Sequence, residues 1–275
     1  MKHSLFVIFL CLLLTLPSCI AEEQPLPLRV HVLDVGQGSC VLIRTQAGDI
    51  LVDSGTDASQ TSVCMRLADL GVTHLSLLIL TSTGNEHLGG ADGILDQIPT
   101  DLVWMTRTDA KGEAANRLQA TCLKQNVSIK AVRAGERFSL GEVTFFVLAP
   151  LTKSTRQGDD MALRVECGDC SILLAGDLDS KAKRALLSQY GKHTLACDVC
   201  IAPSHGAFDD AMGAFLESVH PSQAIISCGE GNADGLPHGG TLLSLRQMES
   251  TVWRTDLLGE LIFRCDGKNF VFEYK

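Results

Sequence analysis

The sequence predicts an α/β protein built as a four-layer αββα sandwich with mixed sheets. Three observations carry that prediction. The chain opens with short alternating segments joined by tight turns, which is an antiparallel start. Continuous apolar runs that alternate with amphipathic helical stretches come next, the pattern of parallel strands covered on both faces. The second half then repeats the order of strands first and helices after. Two such halves stack sheet on sheet with helices outside. No linker rich in Pro, Gly or Ser divides the chain, so residues 26–275 read as one domain.

Residues 28–34 alternate, Gly36-Gln37-Gly38 turns, residues 40–44 form a second strand, and Ala47-Gly48-Asp49 leads into a third over 50–53. Residues 63–70 fit an amphipathic helix ended by Gly71. The apolar run 75–80 is a buried strand, 88–97 a helix, 102–105 a strand and 111–125 a helix. Strands follow over 128–132, 137–140 and 143–148, then a turn-rich stretch to Gly158. The second half reads as a hairpin (161–167 and 170–175), a helix (180–190), a strand (199–202), a helix (211–219), a strand (224–228) and a helix (240–248). Strands over 252–255, 260–265 and 270–274 close the chain.

The first 21 residues stand apart. Lys2 and His3 precede an almost wholly apolar run over 5–16, then Pro17-Ser18-Cys19-Ile20-Ala21 and the acidic pair Glu22-Glu23. This is the pattern of a secretory signal peptide, with an apolar run shorter than the roughly 20 residues of a membrane span. Two cleavage patterns overlap. Cys19-Ile20-Ala21 resembles a small-residue peptidase site. Leu16-Pro17-Ser18-Cys19 resembles a lipobox, after which a lipidated Cys19 would anchor the chain without a spanning helix. The expectation is an exported protein of the periplasm or cell envelope, touching a membrane only through such an anchor.

The formal charge is −9, and without Lys2 the chain holds 22 basic against 32 acidic residues. That balance disfavours nucleic acid as a partner, because such binding depends on basic neutralisation of phosphates. Nine cysteines follow Cys19. Cys167-Gly-Asp-Cys170 and Cys197-Asp-Val-Cys200 have zinc-knuckle spacing. The first pair also flanks a hairpin turn that suits a local disulfide, and the second opens a buried strand. Structural zinc, a disulfide and plain buried thiols all stay open.

Chemistry concentrates where predicted strands end. Glu86 and His87 follow one buried strand, Asp177 follows another, and His205 and His238 sit beside glycines in later loops. Carboxylates and imidazoles are ligands for zinc, manganese or iron. Each also has a structural role available: Glu86 beside a helix dipole, Asp177 as an N-cap.

At these residues the sequence resembles the metallo-β-lactamase-fold domain of the ComEC-type competence proteins. Residues 32–39, VLDVGQGS, are similar to the family's "LDVGQGD", and 50–55, ILVDSG, to its "ILIDTG". Asp177 lies at the "TGD" motif, and residues 225–227 and 253–256 match "IIS" and "YRTD". The resemblance spans nearly the whole chain after the leader and implies a metallo-β-lactamase sandwich. Against the family's "THxDxDHxGG" or "HxHxDH", Ser82 and Gly84 stand at ligand positions, Glu86 replaces aspartate, and His87 with Gly89-Gly90 is kept. The "HHG" motif becomes Ser204-His205-Gly206, and "GHPH" becomes Gly235-Leu236-Pro237-His238.

The resemblance therefore implies a degenerate site, weakly active or inactive as a hydrolase. It would hold one zinc or manganese ion at most on Glu86, His87, Asp177 and His205. The alternative is a mononuclear hydrolase of phosphodiesters or other esters, such as a small molecule or an envelope phosphoester. There Asp177 and His205 would serve catalysis and His238 would steady the leaving group. Asp53 reads as a turn or supporting residue, and Cys40 or Cys228 as a thiolate substitute for the lost ligands.

Overall fold

The computed structural model describes residues 27–151 and 159–273. The proposed leader and its cleavage sites, including Cys19, lie outside the described residues, as does most of the turn-rich stretch before Gly158. Among the described residues, no helix is long and apolar enough to cross a membrane.

The chain builds the first sheet with β1 (Leu28–Val32), β2 (Val41–Thr45), β3 (Gly48–Val52), β4 (Leu77–Ile79), β5 (Leu102–Met105) and β6 (Ser128–Ala131). It then builds the second with β7 (Arg137–Leu140), β8 (Val143–Ala149), β9 (Ala162–Cys167), β10 (Cys170–Leu174), β11 (Val199–Ile201), β12 (Gln223–Ile226) and β13 (Thr251–Arg254). Finally β14 (Leu261–Cys265) and β15 (Phe270–Glu273) return to the edge of the first sheet, in the order β15-β14-β1-β2-β3-β4-β5-β6. The second sheet runs β13-β12-β11-β10-β9-β8-β7.

Each sheet is half antiparallel and half parallel. Strands β3 to β6 are parallel to one another, as are β10 to β13. The parallel strands β4 and β11 are buried at every position, as helices on one face and the other sheet on the second require.

Three apolar clusters define four layers. Val30, Ile43, Phe145, Leu163 and Phe263 are among the side chains that fill the space between the sheets. Helices α1 (Gln60–Asp69), α3 (Ala91–Gln97) and α4 (Glu113–Gln125) cover the outside of the first sheet through residues such as Leu67, Ile94 and Leu118. Helices α5 (Ser180–Gln189), α7 (Met212–Val219) and α8 (Gly239–Gln247) cover the second through Leu186, Phe215 and Leu245. Five single-turn pieces complete the list among the described residues: a turn at Asp57–Ser59 before α1, α2 (Asn85–Leu88) before α3, α6 (Lys192–Leu195), a tight turn at Pro203–Gly206, and α9 (Thr255–Leu258).

All nine cysteines among the described residues are free and buried. The two CxxC pairs therefore form neither a zinc knuckle nor a local disulfide in this structure. The strand pattern puts their side chains in apolar layers, Cys167 and Cys170 between the sheets and Cys197 and Cys200 under the outer helices.

Candidate metal centre

The parallel strands of both sheets end on one rim, where ligands gather in open α/β sheets. Asp53 follows β3 in a left-handed conformation, φ 60°, that aspartate tolerates. Thr81, Ser82 and His87 follow β4, Asp177 follows β10, His205 follows β11, and Ser227 follows β12. Ser204 and His205 both take positive φ, 49° and 54°. The next residue must be glycine, because a Cβ on Gly206 would lie 2.7 Å from Pro237 Cβ.

His87 is 1% exposed. Its Nδ1–H donates to Asp53 Oδ2 at 2.8 Å, and Asp53 in turn accepts from Thr81 N at 2.7 Å and Thr81 Oγ1 at 2.8 Å. On the opposite sheet His205 Nδ1–H donates to the Ser227 carbonyl at 2.8 Å. Both imidazoles are thus fixed with Nε2 directed inward, the arrangement that outer partners impose on metal-binding histidines. Ser227 Oγ donates to the Gly38 carbonyl at 2.7 Å, so the opening Gly36-Gln37-Gly38 turn braces this second imidazole.

Between them stands Asp177. His87 Nε2 lies 2.9 Å from Asp177 Oδ2 and His205 Nε2 lies 3.9 Å from Asp177 Oδ1. One ligand atom from each of the three residues lies within 4.8 Å of the others. Asp177 Oδ1 and His205 Nε2 are buried without a hydrogen-bond partner, and His87 Nε2 meets only the Asp177 carboxylate. Buried polar atoms in folded proteins are nearly always satisfied, so two unpartnered atoms beside a buried ion pair fit a place for a cation. Ligands at about 2.1 Å around one tetrahedral ion sit roughly 3.4 Å apart, which the two observed separations bracket. The donor set fits one divalent ion of the zinc or manganese type.

The electrostatics agree. Burial works against the imidazolium of His87, but Asp53 and Asp177 outweigh it and hold its pKa well above the usual value. Burial likewise works to raise Asp177, and His87, His205 and Lys183 outweigh it and hold that carboxyl below the usual range. The two charged groups form an ion pair that a divalent cation would replace.

A cavity of about 20 Å³ lies among His87, Asp177, His205 and Asp53. It is continuous in residues with an open cleft of about 550 Å³ that Asp177 and His205 share with Ser82, Glu86, Asp160 and Asp234. Sequence reasoning missed Asp160. It is 8% exposed, its Oδ1 has no partner, and burial raises its carboxyl to about 7 despite a hydrogen bond to Ser82. The signal available was an Asp159-Asp160 pair directly before an apolar strand.

The remaining candidates separate. Glu86 is exposed at the cleft mouth and outside the group of converging ligands. His238 does not face the cavity. It caps α8, its Nδ1 accepting from Gly240 N at 3.0 Å, and it stacks on Phe208 with ring centroids 5.5 Å apart. Cys40 and Cys228 do not join the group, and burial pushes both thiols up, Cys228 to about 11. Neither supplies a thiolate there.

The rim of two stacked αβ halves, with a histidine from each sheet flanking one aspartate, defines a metal-site protein of a recognised class. Residues 33–230 match the metallo-beta-lactamase superfamily, and the chain belongs to it. Its relatives include Competence protein ComA of Neisseria gonorrhoeae, 30% identical over 248 residues that cover 90% of this chain and 33% of the relative. ComE operon protein 3 of Bacillus subtilis (strain 168) is 24% identical, over 93% of this chain and 35% of its own length. The chain thus spans about a third of the curated relatives it matches. Among solved structures, the metallo-beta-lactamase fold protein YhfI from Bacillus subtilis matches with a TM-score of 0.57 at 14% identity, covering 88% of this chain and all of that one. The diiron β-hydroxylase CmlA from Streptomyces venezuelae also gives 0.57 at 14% identity, over 88% of this chain and 55% of its own. These likenesses show the fold.

Proposed function

We propose that this protein is an exported, single-ion member of the superfamily, with His87, Asp177 and His205 as the ligands and a slow ester hydrolysis as its reaction. The observation that carries the reading is the convergence of ligand atoms of His87, Asp177 and His205 within 4.8 Å, with Asp177 Oδ1 and His205 Nε2 left without hydrogen-bond partners. A divalent ion held by His87, Asp177 and His205 would supply Lewis acidity, activating water and polarising an ester oxygen. The chain's own residues supply the rest. Asp53 and the Ser227 carbonyl hold the two imidazoles in register. Asp160, with its carboxyl raised to about 7, keeps a proton near neutrality at the cleft wall and is placed to pass it to a leaving group.

The cleft limits the substrate. Among the described residues, Glu86, Asp160, Asp177 and Asp234 line it and no lysine or arginine does. Such a wall favours a small, neutral or weakly charged ester over a nucleic-acid strand, whose phosphates need basic partners.

A second reading, a metal-binding protein without turnover, is favoured by Ser82 and Gly84 at positions where the family carries ligands. One experiment separates the two: elemental mass spectrometry of the mature protein and of a His87→Ala, Asp177→Ala double variant, with assays on a neutral chromogenic ester and an aryl phosphodiester. About one equivalent of metal, lost in the variant along with ester hydrolysis, supports the hydrolase. Metal without turnover supports the second reading. A folded wild type that binds neither zinc nor manganese sinks both.

A further inference from the structure

Three thiols outside the site meet where the two sheets face each other. Cys167 ends β9 and Cys170 opens β10, directly opposite each other across the Gly168-Asp169 turn. Cys265 ends β14 in the other sheet. The Cys265 thiol acts electrostatically on both Cys167 and Cys170, which places the three side chains beside one another. Cys265 Sγ lies 3.8 Å from the Cys167 carbonyl oxygen and accepts from Gly267 N at 3.1 Å.

The two turns that carry these sulfurs are locked together. Asp169 N donates to the Gly267 carbonyl at 2.7 Å. Gly168 has φ +59°, and a Cβ there would lie 2.3 Å from that same carbonyl oxygen. Backbone contact, not side-chain chance, sets the spacing of the cluster.

We propose that Cys265 forms a disulfide with the Cys167/Cys170 hairpin, joining the two sheets covalently. The oxidant is a disulfide-bearing thiol compound. One cysteine thiolate attacks its sulfur–sulfur bond, giving a mixed disulfide and one released thiol. The second cysteine attacks the mixed disulfide, forms the Cys–Cys bond and releases the second thiol. Two cysteine thiols are oxidised, one oxidant disulfide is reduced, and the two protons leave with its thiols. The third cysteine of the cluster stays a thiol.

The bond forms as the chain folds. Only the thiolate reacts, and once the sheets close, burial pushes the Cys167 thiol up to about 12. The cluster lies at the start of β10 while Asp177 follows its end, a separation of roughly 17 Å for five residues of strand. The proposal is therefore independent of the metal site.

The test is to refold the full chain from the reduced, denatured state in a mixture of oxidised and reduced glutathione, alkylate the remaining thiols and map the peptides by mass spectrometry. The expected result is a linked peptide joining Cys265 to Cys167 or Cys170. Closing a loop of nearly 100 residues also raises the melting temperature, by roughly 10 °C relative to the reduced protein. A Cys265→Ala variant should lose both the link and that shift while still binding metal. Alkylation of Cys167, Cys170 and Cys265 alike after oxidative refolding, or a Cys167–Cys170 link with Cys265 free, would overturn the proposal.

Discussion

Replacing Asp160 by asparagine isolates the cost of one buried carboxyl. Burial is the main cause of its rise to about 7, the hydrogen bond from Ser82 opposes it, and the negative charge of Asp177 adds to it. Below about pH 4 the group is protonated in both the folded and the unfolded chain. Between about pH 4 and 7 the unfolded chain loses the proton and the folded chain keeps it, so stability falls as pH rises, then levels off. A carboxyl moved that far disfavours its charged form by about 4 kcal/mol at 1.4 kcal/mol per pH unit. Asparagine keeps a polar partner for Ser82 and has no charge to lose. With a chelator present, so that no cation compensates, the variant should be the more stable protein by about 4 kcal/mol at pH 8.5 and by only about 1 kcal/mol at pH 4.5. In thermal melts the high-pH difference is roughly 10 °C for a domain of this size. If wild type and variant change in parallel across this range, the burial argument is wrong and Asp160 is solvated.

Three further predictions follow from the same geometry. His87 is protonated between Asp53 and Asp177 when no metal is bound, and that charge stabilises the metal-free fold below about pH 6.5 and is lost as pH rises through its raised pKa. Metal must displace the proton, so zinc affinity should rise about tenfold per pH unit through neutrality. Calorimetry in buffers of differing ionisation enthalpy measures the release, and a flat profile would count against His87 as a ligand. A Ser82→His, Gly84→His double variant should raise the zinc content from one equivalent to two. Gly84 has ordinary extended dihedrals, and a Cβ there meets, within 3 Å, only the mobile Glu86 carboxylate at 2.9 Å. An unchanged metal content would mean that Asp160 and Asp177 do not complete a second site. Lys183 is 1% exposed and pairs with the part-exposed Asp209 at 2.6 Å. Asp209→Ala strands a buried ammonium and should cost about 3–5 kcal/mol in urea unfolding, more than Lys183→Met, which leaves only a carboxylate within reach of water. Equal costs would refute that asymmetry.

Most of the fold was legible because its signals are local. The β2–β3 hairpin, the buried β4 run and the β9–β10 hairpin each carry their pattern within a few residues. The helix expected over 88–97 is instead two pieces, α2 and α3, split at Gly89-Gly90. A Cβ on Gly90 would lie 2.5 Å from the Ser54 carbonyl oxygen, so the close approach of the loop after β3 requires glycine there. The single turns α6 and α9 are too short to show a helical period at all.

The site was legible only where strand ends carry their own residues. Asp160 belongs to no strand-end loop of the parallel set. It reaches the cleft because Met161 N donates to the Thr81 carbonyl at 2.7 Å, tying the start of β9 in one sheet to the end of β4 in the other. No window of sequence contains that contact. His238, expected to steady a leaving group, instead caps α8 through its Nδ1. What survives argues for a working centre. Each buried polar atom without a partner costs about 1–3 kcal/mol, and two of them, Asp177 Oδ1 and His205 Nε2, converge on the buried His87–Asp177 pair. The chain holds them in place with Asp53 on one sheet and the Ser227 carbonyl on the other, when apolar side chains would relieve the cost. A bound cation is the simplest group that offsets it.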